Sequence, residues 1–113
     1  MASDGHWLLE NCGAYLRVME GNGRGEDDLI HGGACSGYVQ GFVDTNNVWF
    51  SIYPSVKLYC LPEPANLNEG WEKIYLQMIK VVNKWLEDNP ASLHYNATSS
   101  MIFALKQAFP CEE

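Results

Sequence analysis

The sequence predicts an all-α fold, a small bundle of four main helices crosslinked by two disulfides. Three observations carry that expectation. Apolar residues recur at helical spacing in four stretches; glycine, asparagine and proline punctuate the gaps between them; and Cys12, Cys35, Cys60 and Cys111 fall one to each apparent boundary. The cysteine count is even and contains no Cys-x-x-Cys pair. Two crosslinks between helices therefore suit it better than a metal or redox site, and such a frame implies an oxidising compartment.

The first helix runs from Trp7 to Met19, with Leu8, Cys12, Tyr15, Leu16 and Met19 on one face and Asp4 upstream as a cap. It ends in Gly21-Asn22-Gly23-Arg24-Gly25, which has the glycines of a turn but not the order or the Lys-Ser/Thr of a phosphate loop. Glu26-Asp27-Asp28 puts negative charge at the start of the second helix, where the macrodipole favours it; that helix is expected to end near Asp44, before Asn46-Asn47. Gly33, Gly37 and Gly41 recur every fourth residue inside it. Each costs about 1 kcal/mol relative to alanine, so the spacing predicts a close helix crossing as compensation.

Val48 to Tyr59 is aromatic and β-branched around Pro54 and fits a short helix, a strand-like excursion or an irregular loop. Trp49, Phe50, Ile52 and Tyr53 in it read as core cover, although a partly exposed aromatic segment would also suit a protein interface. Cys60-Leu61-Pro62-Glu63-Pro64 is extended, and Asn66 or Asn68 caps a third helix with the apolar stripe Trp71, Ile74, Tyr75, Met78, Val82, Trp85 and Leu86. Asp88-Asn89-Pro90 stops that helix. The fourth begins near Asn96, carries Met101, Ile102, Leu105, Ala108 and Phe109, and ends at Pro110. Residues 1–6 read as a tail and 7–113 as one helical domain.

A chain of 113 residues with 47% apolar content buries a modest core, to which each disulfide adds roughly 2–4 kcal/mol. Its net charge of −7 opposes a nucleic-acid or anionic-membrane surface and favours a basic partner. No segment approaches the roughly 20 apolar residues of a membrane span. Met1-Ala2-Ser3-Asp4 reads as a mature start after loss of a leader.

Chemistry-bearing residues are sparse. His31 and Cys35 stand four apart on a predicted helix, a metal-ligand spacing, but no second pair completes a set and His6 and His94 are isolated. No metal or cofactor is therefore expected. A Cys–His hydrolase needs a free thiolate, which four paired cysteines would not supply. Glu10, Asp44, Glu69, Glu72 and Glu87 are scattered over separate predicted helices, and an acid–base pair among them would need tertiary convergence. Asn96-Ala97-Thr98 matches a glycosylation sequon, yet its place before an apolar helix favours an N-cap.

Cys12, Cys35-Ser-Gly-Tyr-Val-Gln-Gly41, Cys60-Leu-Pro62, an amphipathic helix ending before Pro90, and Ala104-Leu105 through Ala108-Phe109-Pro110-Cys111 follow one another in a recognisable order. Over Leu8 to Cys111 the chain resembles the type VI secretion amidase-immunity proteins, the resistance-associated or Tai-type family. Val48 to Tyr59 departs from that pattern in being more aromatic. The resemblance implies a mostly helical, commonly dimeric periplasmic protein, itself no enzyme, that sterically blocks a papain-like peptidoglycan amidase delivered by a neighbouring cell. By the same analogy the blocking segment is Glu87 to Tyr95, with Leu93 and Tyr95 as apolar anchors, Glu87 and Asp88 facing basic groups, and His94 between them. A homodimer is expected from the resemblance, the glycine ridge and the aromatic surplus. The expected disulfides are Cys12–Cys35 and Cys60–Cys111, each tying helices adjacent in sequence. A periplasmic binding or chaperone-like protein without an amidase partner, or a small hydrolase, is the competing function.

Overall fold

Three of the four helix ends are set by the same backbone conflict. The ring of a proline disfavours helical dihedrals in the residue before it. Tyr53 before Pro54, Asn89 before Pro90 and Phe109 before Pro110 accordingly leave the helical region at φ near −128° and ψ between 60° and 75°. The structure, a computed structural model, describes residues 3–61 and 70–111. Its helices are α1 (Gly5–Met19), α2 (Glu26–Ile52), α3 (Gly70–Asp88) and α4 (Ala97–Ala108), with 3-10 turns at Pro54–Val56 and Pro90–Ser92. The fold is all-α, and no strand occurs among the described residues. The Asn66 and Asn68 caps, Glu69 and the Pro62–Pro64 segment lie outside them.

Each helix buries one stripe. Leu8 and Cys12 of α1, Cys35, Val39, Phe42 and Val43 of α2, Met78, Ile79, Val82 and Leu86 of α3, and Met101, Ala104 and Leu105 of α4 form one core. Both expected disulfides are present. Cys12–Cys35 joins α1 to α2 within the core, both residues fully buried. Cys60–Cys111 joins the chain beyond the Pro54 turn to the chain beyond α4, so it links two extended ends rather than neighbouring helices, and the Cys60 N–H donates to the Phe109 carbonyl there at 2.8 Å.

The second helix corrects two expectations. It does not end at Asp44 but continues two turns to Ile52. Asn46 and Asn47 do not break it, because the Asn46 amide donates to the Phe42 carbonyl at 2.7 Å and Ser51 Oγ to the Asn47 carbonyl at 2.8 Å, both within the helix. Asparagine is only weakly unfavourable in a helix, whereas Pro54 is decisive. The open choice over Val48 to Tyr59 resolves into helix, a 3-10 turn and an irregular segment that buries Tyr59.

The glycine ridge does not make the close crossing. A Cβ at Gly33, Gly37 or Gly41 would meet nothing within 4 Å, whereas one at Gly32 would lie 3.1 Å from Tyr15 Cα and 3.3 Å from its amide nitrogen. Gly32 is thus a residue at which the α2 backbone lies directly against the backbone of α1. The same crossing is closed at its end by Arg17, whose Nε and Nη2 each donate to the Asp28 carboxylate at 2.9 Å, with the Arg24 N–H as a third donor at 2.9 Å. These bonds, the Arg17 pair first, hold the Asp28 carboxyl well below the usual carboxylate range. Gly21 and Gly25, at φ 81° and 87°, turn the chain between the two helices.

Candidate functional site

The expected contact segment begins where α3 stops. Glu87 and Asp88 are the last two residues of α3 and are exposed. Anions in the last turn of a helix oppose its macrodipole, at a cost of about 0.3–1 kcal/mol each at low ionic strength. The offsets are small. The Asn83 amide donates to Glu87 Oε1 at 3.0 Å, and Lys84 Nζ reaches Asp88 at 3.1 Å in a pair whose side chains are 78% and 58% exposed. This charge placement is not explained by the stability of α3.

Beyond α3, the Asn89 amide donates back to the Trp85 carbonyl at 2.8 Å, and the chain turns through Pro90–Ser92. It is then held by the start of the molecule. The Gly5 N–H donates to the Tyr95 carbonyl at 3.0 Å, the His6 N–H to the Leu93 carbonyl at 3.2 Å, and the Ala97 N–H to the Ser3 carbonyl at 2.8 Å. Asp4 pairs with Asn96 in the same ladder while its carboxylate caps α1 through the Trp7 N–H at 3.0 Å. Ser3 to His6, set apart as tail in the sequence reading, are docked here. A Cβ on Gly5 would stand 2.9 Å from both Leu93 Cα and Leu93 O, so only glycine admits this approach.

The five expected residues consequently do different things. Leu93 is half-buried against the core and anchors the connection to its own protein. His94 and Tyr95 face solvent with ring centroids 4.4 Å apart, and Tyr95 is 48% exposed. Glu87 and Asp88 flank the turn on the α3 side. Asn96 Oδ1 accepts from the Ser99 N–H at 2.8 Å and so caps α4.

A second surface was only half legible in the sequence. Val48, Trp49, Ile52, Tyr53 and Val56 are 43–62% exposed at the end of α2, and the Trp49 and Tyr53 rings lie 4.7 Å apart. Only Phe50 of that stretch, stacked edge-on to Tyr59, enters the core. The core-cover reading of Trp49, Ile52 and Tyr53 is therefore corrected: an aromatic run near a helix end resembles core until the neighbouring helices are seen to lie elsewhere.

All four cysteines are oxidised, so there is no thiolate for a Cys–His nucleophile. His31 Nδ1 lies 2.9 Å from Asn11 Oδ1; because the Asn11 amide donates to the Trp7 carbonyl at 2.7 Å, the histidine nitrogen is the donor in that contact. Burial, with the field of Glu72, pushes the Tyr15 phenol up, and burial with the field of Asp44 does the same to Tyr75. Among the described residues no group of three or more His, Cys, Asp or Glu side chains is placed to hold a metal ion. No helix among them is long and apolar enough to cross a membrane.

Residues 4–111 match the family model of the Rap1a immunity proteins, nearly the whole chain and the whole of the disulfide frame. The chain belongs to the Rap1a immunity proteins. Among the curated proteins and the solved structures nothing matches it. As an immunity protein it has a secreted effector for a partner. Two disulfides fit an extracellular or periplasmic setting for that encounter.

Proposed function

We propose that this immunity protein works in the periplasm as the stoichiometric inhibitor of a peptidoglycan amidase delivered by type VI secretion, and that it has no chemistry of its own. The observation that carries the reading is the family match over residues 4–111, to which the Glu87–Tyr95 connection adds a means. That connection is short, limited by Pro90 and held by backbone hydrogen bonds to Ser3–His6, so little ordering entropy is lost on docking. His94 and Tyr95 supply exposed aromatic contact, Glu87 and Asp88 supply charge for a basic rim, and Leu93 acts by fixing the tip rather than by entering the enzyme. Blocking is steric.

The test is a titration of a peptidoglycan amidase effector, sought among the products of neighbouring genes, with wild-type protein, a His94→Ala/Tyr95→Ala variant and a Glu87→Gln/Asp88→Asn variant. Full inhibition at one equivalent supports the reading, and a loss of at least about tenfold in affinity for the aromatic variant supports the site, a truncation of about 1.4 kcal/mol or more. An enzyme that stays active under molar excess of wild type would end the inhibitor reading. Equal inhibition by both variants would remove the site and leave the function.

The proposal extends to a homodimer. The exposed apolar strip of Val48, Trp49, Ile52 and Tyr53 replaces the Gly33, Gly37, Gly41 ridge as its support, because large exposed apolar side chains contribute more to association than a bare helix face. Light scattering at tens of micromolar, where an interface with Kd ~1 μM is occupied, returns twice the monomer mass if this is right. Monomer mass there would exclude it.

A further inference from the structure

We infer that the groove between α3 and α4 is a docking site for an acidic peptide segment of a partner protein, one that presents a carboxylate beside an aromatic or branched apolar side chain. The groove encloses about 450 Å³ over an apolar floor of Val81, Ala104 and Ala108. That volume accommodates a few side chains of an extended segment.

Donors dominate the rim. Lys80 and Lys84 stand along the α3 wall and Gln107 on the α4 wall. Lys80 has no acidic partner among the described residues. The Trp85 indole N–H, also in the lining, makes no hydrogen bond among them. Asp88 is the one acid of the lining, and Lys84 already pairs with it at 3.1 Å. The Trp85 ring continues outward into Phe103, with centroids 6.1 Å apart and Phe103 51% exposed, so the groove has an aromatic lip.

Charge decides what fits. The chain as a whole carries 14 Asp and Glu against 7 Lys and Arg. Of those seven basic residues, Lys73, Lys80, Lys84 and Lys106 stand on α3 and α4, against the acids Glu72, Glu87 and Asp88 there. The groove is thus an apolar surface whose one uncompensated charge is the Lys80 ammonium, on an otherwise acidic protein. A neutral apolar ligand would leave the Lys80 ammonium and the Trp85 N–H unused, and a basic segment would be repelled by the unpaired Lys80; a carboxylate next to an apolar side chain satisfies both the rim and the floor. This surface is argued from its own chemistry and does not depend on the identity of the effector.

The experiment titrates acetyl-Asp-Phe-Glu-Leu-amide into the ¹⁵N-labelled full chain and follows backbone amide shifts, with acetyl-Lys-Phe-Lys-Leu-amide as the charge-reversed probe. Saturable shifts confined to residues 80–88 and 103–108, with Kd on the order of 100 μM for so small a contact, are expected for the acidic peptide only. Lys80→Gln/Lys84→Gln and Ala108→Trp, which removes the charge and fills the floor respectively, each weaken binding at least about tenfold, while Lys73→Gln, outside the lining, leaves it within about twofold. Equal shifts with the basic peptide, absence of saturation at several millimolar, or undiminished binding by the Ala108→Trp variant would overturn the assignment. Because amidase inhibition is not the readout, the proposal stands or falls separately from the inhibitor reading.

Discussion

The two ends of α2 are one helix with opposite destinies. From Glu26 to Val43 it is held by α1 through a buried disulfide, a carboxylate with three donors and a glycine at the crossing. From Asp44 to Ile52 only Phe50 is buried, and the large side chains at 48, 49 and 52 face solvent. The first part spends its sequence on the fold. The second leaves large apolar side chains in solvent, an arrangement that suits an interface better than a core.

The largest expected effect lies in the first part. Cys12→Ala/Cys35→Ala removes a crosslink closing a 23-residue separation and two fully buried sulfurs, and should lower the unfolding free energy by about 3–5 kcal/mol in urea titrations. Trp49→Glu/Ile52→Glu should change stability by less than about 0.5 kcal/mol while making the protein less prone to self-associate. A large stability loss in that second variant would mean the end of α2 is core after all, and the contrast would collapse.

Gly32→Val comes next. Its side chain would press on the Tyr15 backbone, which has no rotamer by which to yield, and the expected cost is about 1–3 kcal/mol. Gly5→Ala tests the same principle at the Leu93 backbone. It should destabilise the protein and, if the connection is the inhibitory tip, weaken inhibition with it.

The pH limits divide between the two regions too. Asp28, in the α1–α2 crossing, has a depressed carboxyl, so the stability it contributes is complete above the ordinary carboxylate pKa and is lost as pH falls through its lowered folded value. Tyr59, packed beneath the end of α2 against Phe42 and Phe50, has its phenol pushed up to about 12 by burial. Its contribution is complete below pH ~10 and is lost as pH rises through about 12. Denaturant midpoints at a series of pH values should show Asp28→Asn flattening the acid limb and Tyr59→Phe the alkaline one.

A small effect of opposite sign belongs to the exposed glycines. Gly37→Ala and Gly41→Ala, at helix positions where a Cβ meets nothing, should each stabilise by about 0.4–1 kcal/mol. A stabilised protein whose oligomeric state and binding are unchanged would show that these glycines serve no interface. Loss of binding would show that a partner backbone lies against them.

The sequence by itself determined the helix count, the class and the expectation of two crosslinks. Periodicity reports which face must leave water, a proline disfavours helix in the residue before it, and an even cysteine count without a Cys-x-x-Cys pair calls for crosslinks, so these features need no knowledge of neighbours. The tertiary structure decided the rest. Gly32 and Gly33 are indistinguishable in sequence, yet one faces the Tyr15 backbone and the other faces solvent, because the rotation of α2 about its axis is set by what it packs on. Trp49 and Phe50 are adjacent aromatics of which only one is buried, for the same reason. Leu93, an exposed anchor by composition, became an internal one when Gly5 brought the start of the chain across it. Propensity and pattern are local quantities; which of two equivalent faces meets a partner is a property of the assembled helices alone.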